Sequence, residues 1–230
     1  MTPRLLLFDI DGTLVLTGGA GLRAITRAFH ELFGATDAFA GVSLAGRTDR
    51  YLVEQGLERS GVPVTPDTLA RVRDCYLARL AEAIHEPAQG TKAMLPGVPP
   101  LLDALADRGG VHCALLTGNY AAGARIKLDH FDLWRRFTWG AFGDDHADRN
   151  DIARAAIADA PSRGARLPAS SHAIVVGDTP FDVACARAAG ARVIAVATGG
   201  HTVDELRACE PDAVFEDLSD LAAVLAAIDS

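Results

Sequence analysis

Arg4-Leu5-Leu6-Leu7-Phe8-Asp9-Ile10-Asp11-Gly12-Thr13 runs an apolar stretch into two carboxylates and a turn. The stretch reads as a buried strand, and Gly12-Thr13 breaks it. Asp9 and Asp11 are two residues apart, so on a continuing strand they point the same way. Carboxylates crowded at a strand end repel, and the arrangement becomes favourable only with a cation or a shared proton. A solvated Asp-x-Asp-Gly turn is the plain alternative for this segment alone. Three further segments weigh against it. Val111–Leu116 runs into Thr117-Gly118-Asn119, and Ala173–Val176 runs into Gly177-Asp178-Thr179-Pro180-Phe181-Asp182, with the polar stretch Asp144 to Asn150 between them. The loop after a parallel strand is where α/β sheets place their ligands. Asp178 and Asp182 would therefore add negative charge to the edge that carries Asp9 and Asp11. A hard divalent ion with oxygen ligands, most simply Mg2+, resolves that repulsion. Thr117-Gly118-Asn119 precedes a helix, and its hydroxyl, backbone N–H groups and helix N-terminus suit an anion. Taken by itself the tripeptide reads rather as an N-cap with a glycine turn, and its value lies in its position.

From Val111 onward strand-like runs alternate with helical patterns. Ala121–Phe131 follows the first run, Phe181–Ala189 follows Ala173–Val176, Val203–Ala208 follows Arg192–Val196, and Leu218–Ile228 follows Ala213–Phe215. This alternation marks βαβ units and a mostly parallel, Rossmann-like sheet, which Arg4–Ile10 joins. Between them lies a different rhythm: Gly21–Phe33, Arg50–Gly61 and Thr65–Ile84 are helical in period and are interrupted by Gly and Pro. The fold expected is an α/β core of residues 1–15 and 93–230 with a helical cap, residues 16–92, inserted after the first carboxylate loop. Gly18-Gly19 and Gly21 form its flexible exit, the return hinge falls near Gly90–Pro96, and Leu95-Pro96-Gly97-Val98 opens a core helix.

The 230 residues allow one or two domains, at about 100–200 residues each. A net charge of −8 and a pI near 5.3 argue against nucleic acid, which is held by clustered Lys and Arg. No apolar run approaches the roughly 20 residues of a membrane span, and Leu5–Phe8 is too short for the core of a signal peptide. Cys75, Cys113, Cys185 and Cys209 form no CxxC pair, so free thiols in a reducing cytoplasm are expected. The seven histidines show no metal-ligand spacing; His146, near the proposed site, reads as a polar loop residue. Trp134 and Trp139 read as packing residues.

With these motifs in this order, the chain resembles haloacid dehalogenase-like hydrolases that carry an inserted cap, over essentially its whole length. The resemblance implies that Asp9 attacks phosphorus to form an aspartyl-phosphate and that Asp11 serves as acid and then base. It implies Mg2+ held by the Asp9 carboxylate, the Asp11 backbone carbonyl and Asp178, with Asp182 in direct or indirect support. It implies that Thr117 and the Gly118 and Asn119 amides bind the transferring phosphoryl oxygens. The family also needs a cation near the nucleophile. Where a Lys-Pro pair is usual this chain has Asp148-Arg149-Asn150, leaving Arg149 as the aligned group. Lys127 is the rival, near 10 Å along its helix at about 1.5 Å per residue; the bland reading of Lys127 is a surface lysine.

Dehalogenases of this resemblance lack the acid two residues after the nucleophile, so Asp11 favours phosphoryl transfer. Phosphonate-cleaving relatives replace that acid and add a cap lysine, and Lys92, near the hinge, is poorly placed for that part. Substrate choice is expected in the cap loop Gly46-Arg47-Thr48-Asp49. There Arg47 offers a bidentate fork for a carboxylate or second phosphate, and Gly46 permits close approach; a solvated turn is the alternative. The pattern is similar to that of phosphoglycolate phosphatases, which implies a small phosphorylated metabolite as substrate. A phosphomutase of the same family and a non-catalytic phosphate sensor are the rivals. Oligomeric state is left open.

Overall fold

A computed structural model describes residues 3–144 and 146–230. Asp145, in the third polar loop, lies outside the described residues. Six parallel strands form the main sheet: β1 (Arg4–Phe8), β4 (Val111–Leu116), β5 (Gly140–Ala141), β6 (Ala173–Gly177), β7 (Arg192–Val196) and β8 (Ala213–Phe215), in the order β5-β4-β1-β6-β7-β8. β1 is central and has no exposed residue from Leu5 to Phe8. Its unbroken apolar run follows from that position, because a parallel strand with helices on both faces has no solvent side. Leu6 and Phe8 pack with α4 (Val98–Ala106), α5 (Ala121–His130) and α9 (Leu221–Asp229). Leu5 and Leu7 pack on the other face with α6 (Arg149–Asp159) and α7 (Pro180–Ala188). α8 (Val203–Arg207) follows β7.

After β1 the chain passes to β4 and β5 on one side, and then to β6, β7 and β8 on the other. The direction of winding thus reverses at β1, which opens a crevice beyond the carboxyl ends of β1, β4 and β6.

Two short strands, β2 (Val15–Thr17) and β3 (Lys92–Met94), pair antiparallel with Leu16 opposite Ala93. Between them lie α1 (Ala20–Phe33), α2 (Asp49–Arg59) and α3 (Pro66–Ala83), which share an apolar cluster of their own built on Phe29, Val53, Leu57, Val72 and Leu80. The helices expected from periodicity stand within a few residues of their expected ends. β2, β3, β5 and α6 are not among the expected elements. α6 is alanine-rich and buries only a narrow stripe, Ile152, Ala153 and Ala156 beside Arg149, so its apolar signal is weak. Its start is marked instead by Asp148, whose side chain accepts from the Asn150 N–H at 2.9 Å.

The four cysteines are unpaired, with Cys185 buried and Cys113 only half-buried. Among the described residues no helix is long and apolar enough to cross a membrane.

Candidate active site

The strand-end loops converge on one cavity of about 400 Å3, lined by Asp9, Asp11, Thr117, Gly118, Asn119, Lys127, Arg149 and Asp178 from the sheet side, and by Gly46, Arg47 and Asp49 from the segment before α2. Every site residue expected from the sequence lines it except Asp182, which lies directly behind. Asp9 continues β1, its N–H donating to the Val176 carbonyl at 2.9 Å, so the nucleophile candidate sits on the rigid centre of the sheet. Gly12 turns the chain back with φ +83°, and a Cβ there would collide with the Asp178 carboxylate. Only glycine lets the first loop close on the fourth.

Arg149 and Lys127 divide the carboxylates between them. Arg149 Nη2 lies 3.0 Å from Asp9 Oδ1 and donates to Asp182 Oδ1 at 2.5 Å. Its Nε is buried with no hydrogen-bond partner among the described residues. Asp182 is fully buried, and its other oxygen accepts from the Thr179 N–H and hydroxyl, closing a capping box at the start of α7. Lys127 Nζ donates to Asp11 Oδ2 at 2.5 Å and to Asn119 Oδ1 at 2.6 Å. The surface-lysine reading of Lys127 is therefore overturned: the residue is 4% exposed. Its place two turns into α5 sends the long side chain back towards the β1 loop. Burial lowers the proton affinity of both cations, but Asp182 and Asp9 outweigh that at Arg149, and Asp11 and Asp49 outweigh it at Lys127, so both stand above their ordinary values.

Asn119 braces this corner. Its side-chain N–H donates to Asp11 Oδ2 at 2.9 Å and to Thr117 Oγ1 at 2.7 Å, and its backbone N–H also donates to Thr117 Oγ1 at 3.3 Å. Asp11 is thereby held by Asn119 and Lys127 while its side chain stays 42% exposed towards the cavity.

Asp178 has a different surrounding. Thr13 Oγ1 donates to it at 3.2 Å, and among the described residues no Lys or Arg lies in ion-pair distance. Burial, with Asp182 and Asp9 nearby, pushes its carboxyl up to about 8; burial likewise pushes Asp9 up to about 6, against the pull of Arg149. Asp9, Asp178 and Asp182 each present an oxygen within 4.8 Å of the others. A hard cation with oxygen ligands fits this donor set, and its charge would meet the uncompensated carboxylate of Asp178.

The segment before α2 closes over the cavity. Gly46 has φ +71°, and a Cβ there would collide with the Phe181 ring. Arg47 is exposed, with its guanidinium 4.8 Å from the Tyr51 ring centroid and 4.5 Å from that of Phe181. The expected fork for a substrate anion is thus laid over two aromatic faces. Thr48 Oγ1 donates to the Ala147 carbonyl at 2.9 Å, and the Asp49 N–H donates to the Gly118 carbonyl at 2.7 Å. Asp49, which has no role of its own in the motif pattern, is buried and accepts from the Tyr120 N–H at 2.8 Å, with the Tyr76 hydroxyl 3.5 Å away. Burial pushes its carboxyl up to about 6, opposed by Lys127. Lys92 is engaged elsewhere, donating to the Ile84 and Glu86 carbonyls at 2.7 Å each.

The switch point of this doubly wound sheet gathers a buried carboxylate, a second acid two residues on and a buried basic pair, as the motifs lead one to expect. The family model for haloacid dehalogenase-like hydrolases matches residues 6–196, and the chain belongs to that family. It is 31% identical over 222 residues to a phosphoglycolate phosphatase of Rhodospirillum rubrum, covering 95% of this chain and 89% of that protein. A probable phosphatase, IndB, of Dickeya dadantii is 28% identical over 222 residues, covering 94% of this chain and 91% of its own. Among solved structures, CbbY of Rhodobacter sphaeroides in complex with phosphate superposes with a TM-score of 0.74 at 21% identity, covering all of both chains. That likeness is one of fold.

Proposed function

We propose that this chain is a Mg2+-dependent phosphatase that hydrolyses a small phosphate monoester through an aspartyl-phosphate on Asp9. The reading rests on one observation above the others: Asp9 is fixed at a strand end by Arg149, and Asp11, two residues on, is steadied by Lys127 and Asn119 yet open to the same cavity. The names of the two relatives support it.

Asp9 attacks phosphorus in line, an Asp9 Oδ–P bond forms, and the ester P–O bond breaks as Asp11 passes its proton to the leaving oxygen. Asp11, now a carboxylate, takes a proton from water; the hydroxide displaces Asp9 and inorganic phosphate leaves. Thr117 and the Gly118 and Asn119 amides would face the phosphoryl oxygens, with the Arg149 guanidinium beside Asp9. Mg2+ would be held by Asp9, the Asp11 carbonyl and Asp178, where it offsets the charge of the phosphoryl oxygens. Asp182 supports that group from behind by orienting Arg149. Residues 16–92 act as a cap over a core of residues 1–15 and 93–230, with β2 and β3 as the paired crossing between them, and closure shields the intermediate from stray water. A cytoplasmic setting is part of the same reading.

The test is Mg2+-dependent release of inorganic phosphate from a panel of small monoesters that includes phosphoglycolate. Many turnovers are expected for the native chain, and Asp9→Asn is expected to fall by at least about 10^3-fold, as when a nucleophile is removed. Full activity in Asp9→Asn overturns the reading. Phosphate release that requires a bisphosphate activator points to a mutase instead.

A further inference from the structure

The cavity over Asp9 is far larger than a phosphoryl group requires. At about 400 Å3 it holds on the order of ten water-sized groups. Away from the strand-end loops its walls are Leu16, Leu22, Ile25, Leu44, Leu52 and Tyr76. An organic group bound there is enclosed mainly by aliphatic side chains, and any charge it carries must find a partner among the few polar atoms present.

Among the described residues three cations line the cavity, two of them committed to site carboxylates and the third standing at the mouth. Arg149 serves Asp9 and Asp182, and Lys127 serves Asp11 and Asn119. Arg47 lies over the Tyr51 and Phe181 rings, an arrangement that holds a guanidinium against two π-faces at the mouth. Arg23, a further arginine on α1, does not line the cavity and donates to the Gly18 and Ala83 carbonyls. Besides Arg47, the polar side chains that line the cavity from residues 16–92 are Thr17, Asp49 and Tyr76. Beyond Arg47 at the mouth, a second anion on the substrate would meet mostly aliphatic walls and a like charge.

We propose that the preferred substrate is a phosphate monoester of an uncharged, largely apolar alcohol, not of a hydroxy acid such as glycolate. The proposal rests on the phosphatase reading and narrows it. It separates this chain's cavity from the carboxylate-bearing ester for which its R. rubrum relative is named.

A matched pair decides it: benzyl phosphate against para-carboxybenzyl phosphate, compared by kcat/KM with Mg2+ present. The neutral ester is expected to be favoured at least about tenfold, the ratio that corresponds to 1.4 kcal/mol for an unpaired carboxylate. Leu22 is 46% exposed on α1, so Leu22→Arg adds a cation at the cavity wall with little risk to folding; it is expected to narrow or reverse the ratio. Equal or better turnover of the carboxylate ester overturns the proposal and leaves the phosphatase reading intact. So does an Arg47→Met variant that loses turnover of the carboxylate ester alone, since Arg47 would then be gripping it. Phosphate release from neither ester, nor from any other monoester, overturns both.

Discussion

Asp9, Asp11, Asp178, Lys127 and Arg149 reach the cavity from the sheet, whereas the helical insertion faces it with Leu22, Ile25, Leu52 and Tyr76 and contributes one buried charge, Asp49. Each charged group on the sheet side is tied to a strand end or a helix of the core, and those backbones cannot shift without disturbing the sheet ladder. The aliphatic groups opposite are held by packing alone, and an aliphatic wall can change shape at modest cost. On the proposed reading, reaction chemistry and substrate choice are carried by different parts of one chain. A change on one side should move turnover for every ester, and a change on the other should reorder the esters.

The largest expected effect that would break this division lies within the sheet side itself. Arg149→Met leaves Asp9 and Asp182 buried without their cation, and removing one partner of a buried pair costs about 3–5 kcal/mol. Lys127→Met leaves Asp11 near solvent and still held by Asn119, so its cost should be nearer to about 1–3 kcal/mol. Both variants should lose turnover on all esters alike. Urea unfolding, together with phosphate release on the benzyl pair, measures the two effects. An equal loss of stability would mean that Arg149 does not anchor the site more firmly than Lys127.

A smaller effect is expected where the two sides touch. Asp49 accepts from the Tyr120 N–H, so Asp49→Ala leaves that buried donor without a partner at about 1–3 kcal/mol. Asp49→Asn keeps an acceptor and should cost less. If both variants lose the same stability, the charge facing Lys127 matters more than the hydrogen bond, and Asp49 belongs with the sheet-side electrostatics.

The same division separates the residues that are legible in the sequence from those that are not. Asp9, Asp11, Thr117, Asp178 and Asp182 are legible because each sits within a few residues of an apolar run, and local spacing carries that information. Arg149 is reached through a motif position, not as the first residue of a helix, because α6 buries mostly alanine. The burial of Lys127 depends on the tilt of α5, and the contact of Asp49 with Tyr120 joins residues 71 positions apart, so neither leaves a local trace. The aliphatic lining is equally hidden. Leu16 belongs to a three-residue strand, Leu44 to a loop, and Leu52 and Tyr76 to different helices, and only the closure of the insertion on the sheet brings them to one wall. Arg47 shows the converse: its residue type suggests an anion fork, while the rings of Tyr51 and Phe181, one from each part of the chain, set where it lies.

The smallest expected effect sharpens the comparison on the sheet side, where Asp178, unlike Asp9, has no basic partner among the described residues. Its carboxyl is raised to about 8 in the folded chain, against about 3.9 when unfolded. Between those values the folded state binds more protons than the unfolded one, so the stability of the metal-free protein should fall as pH rises from about 4 through about 8. Mg2+ binds the deprotonated carboxylate, so it should raise Tm by a few degrees at about pH 8 and by less at about pH 5. Asp178→Asn removes both the charge and the ligand. It should flatten the slope with pH and abolish the shift with Mg2+, as read by thermal unfolding at a series of pH values with and without the ion. An undiminished Mg2+ shift in Asp178→Asn would place the ion away from Asp178. The uncompensated charge at the floor of the cavity would then be a burden on the fold and not a seat for the metal.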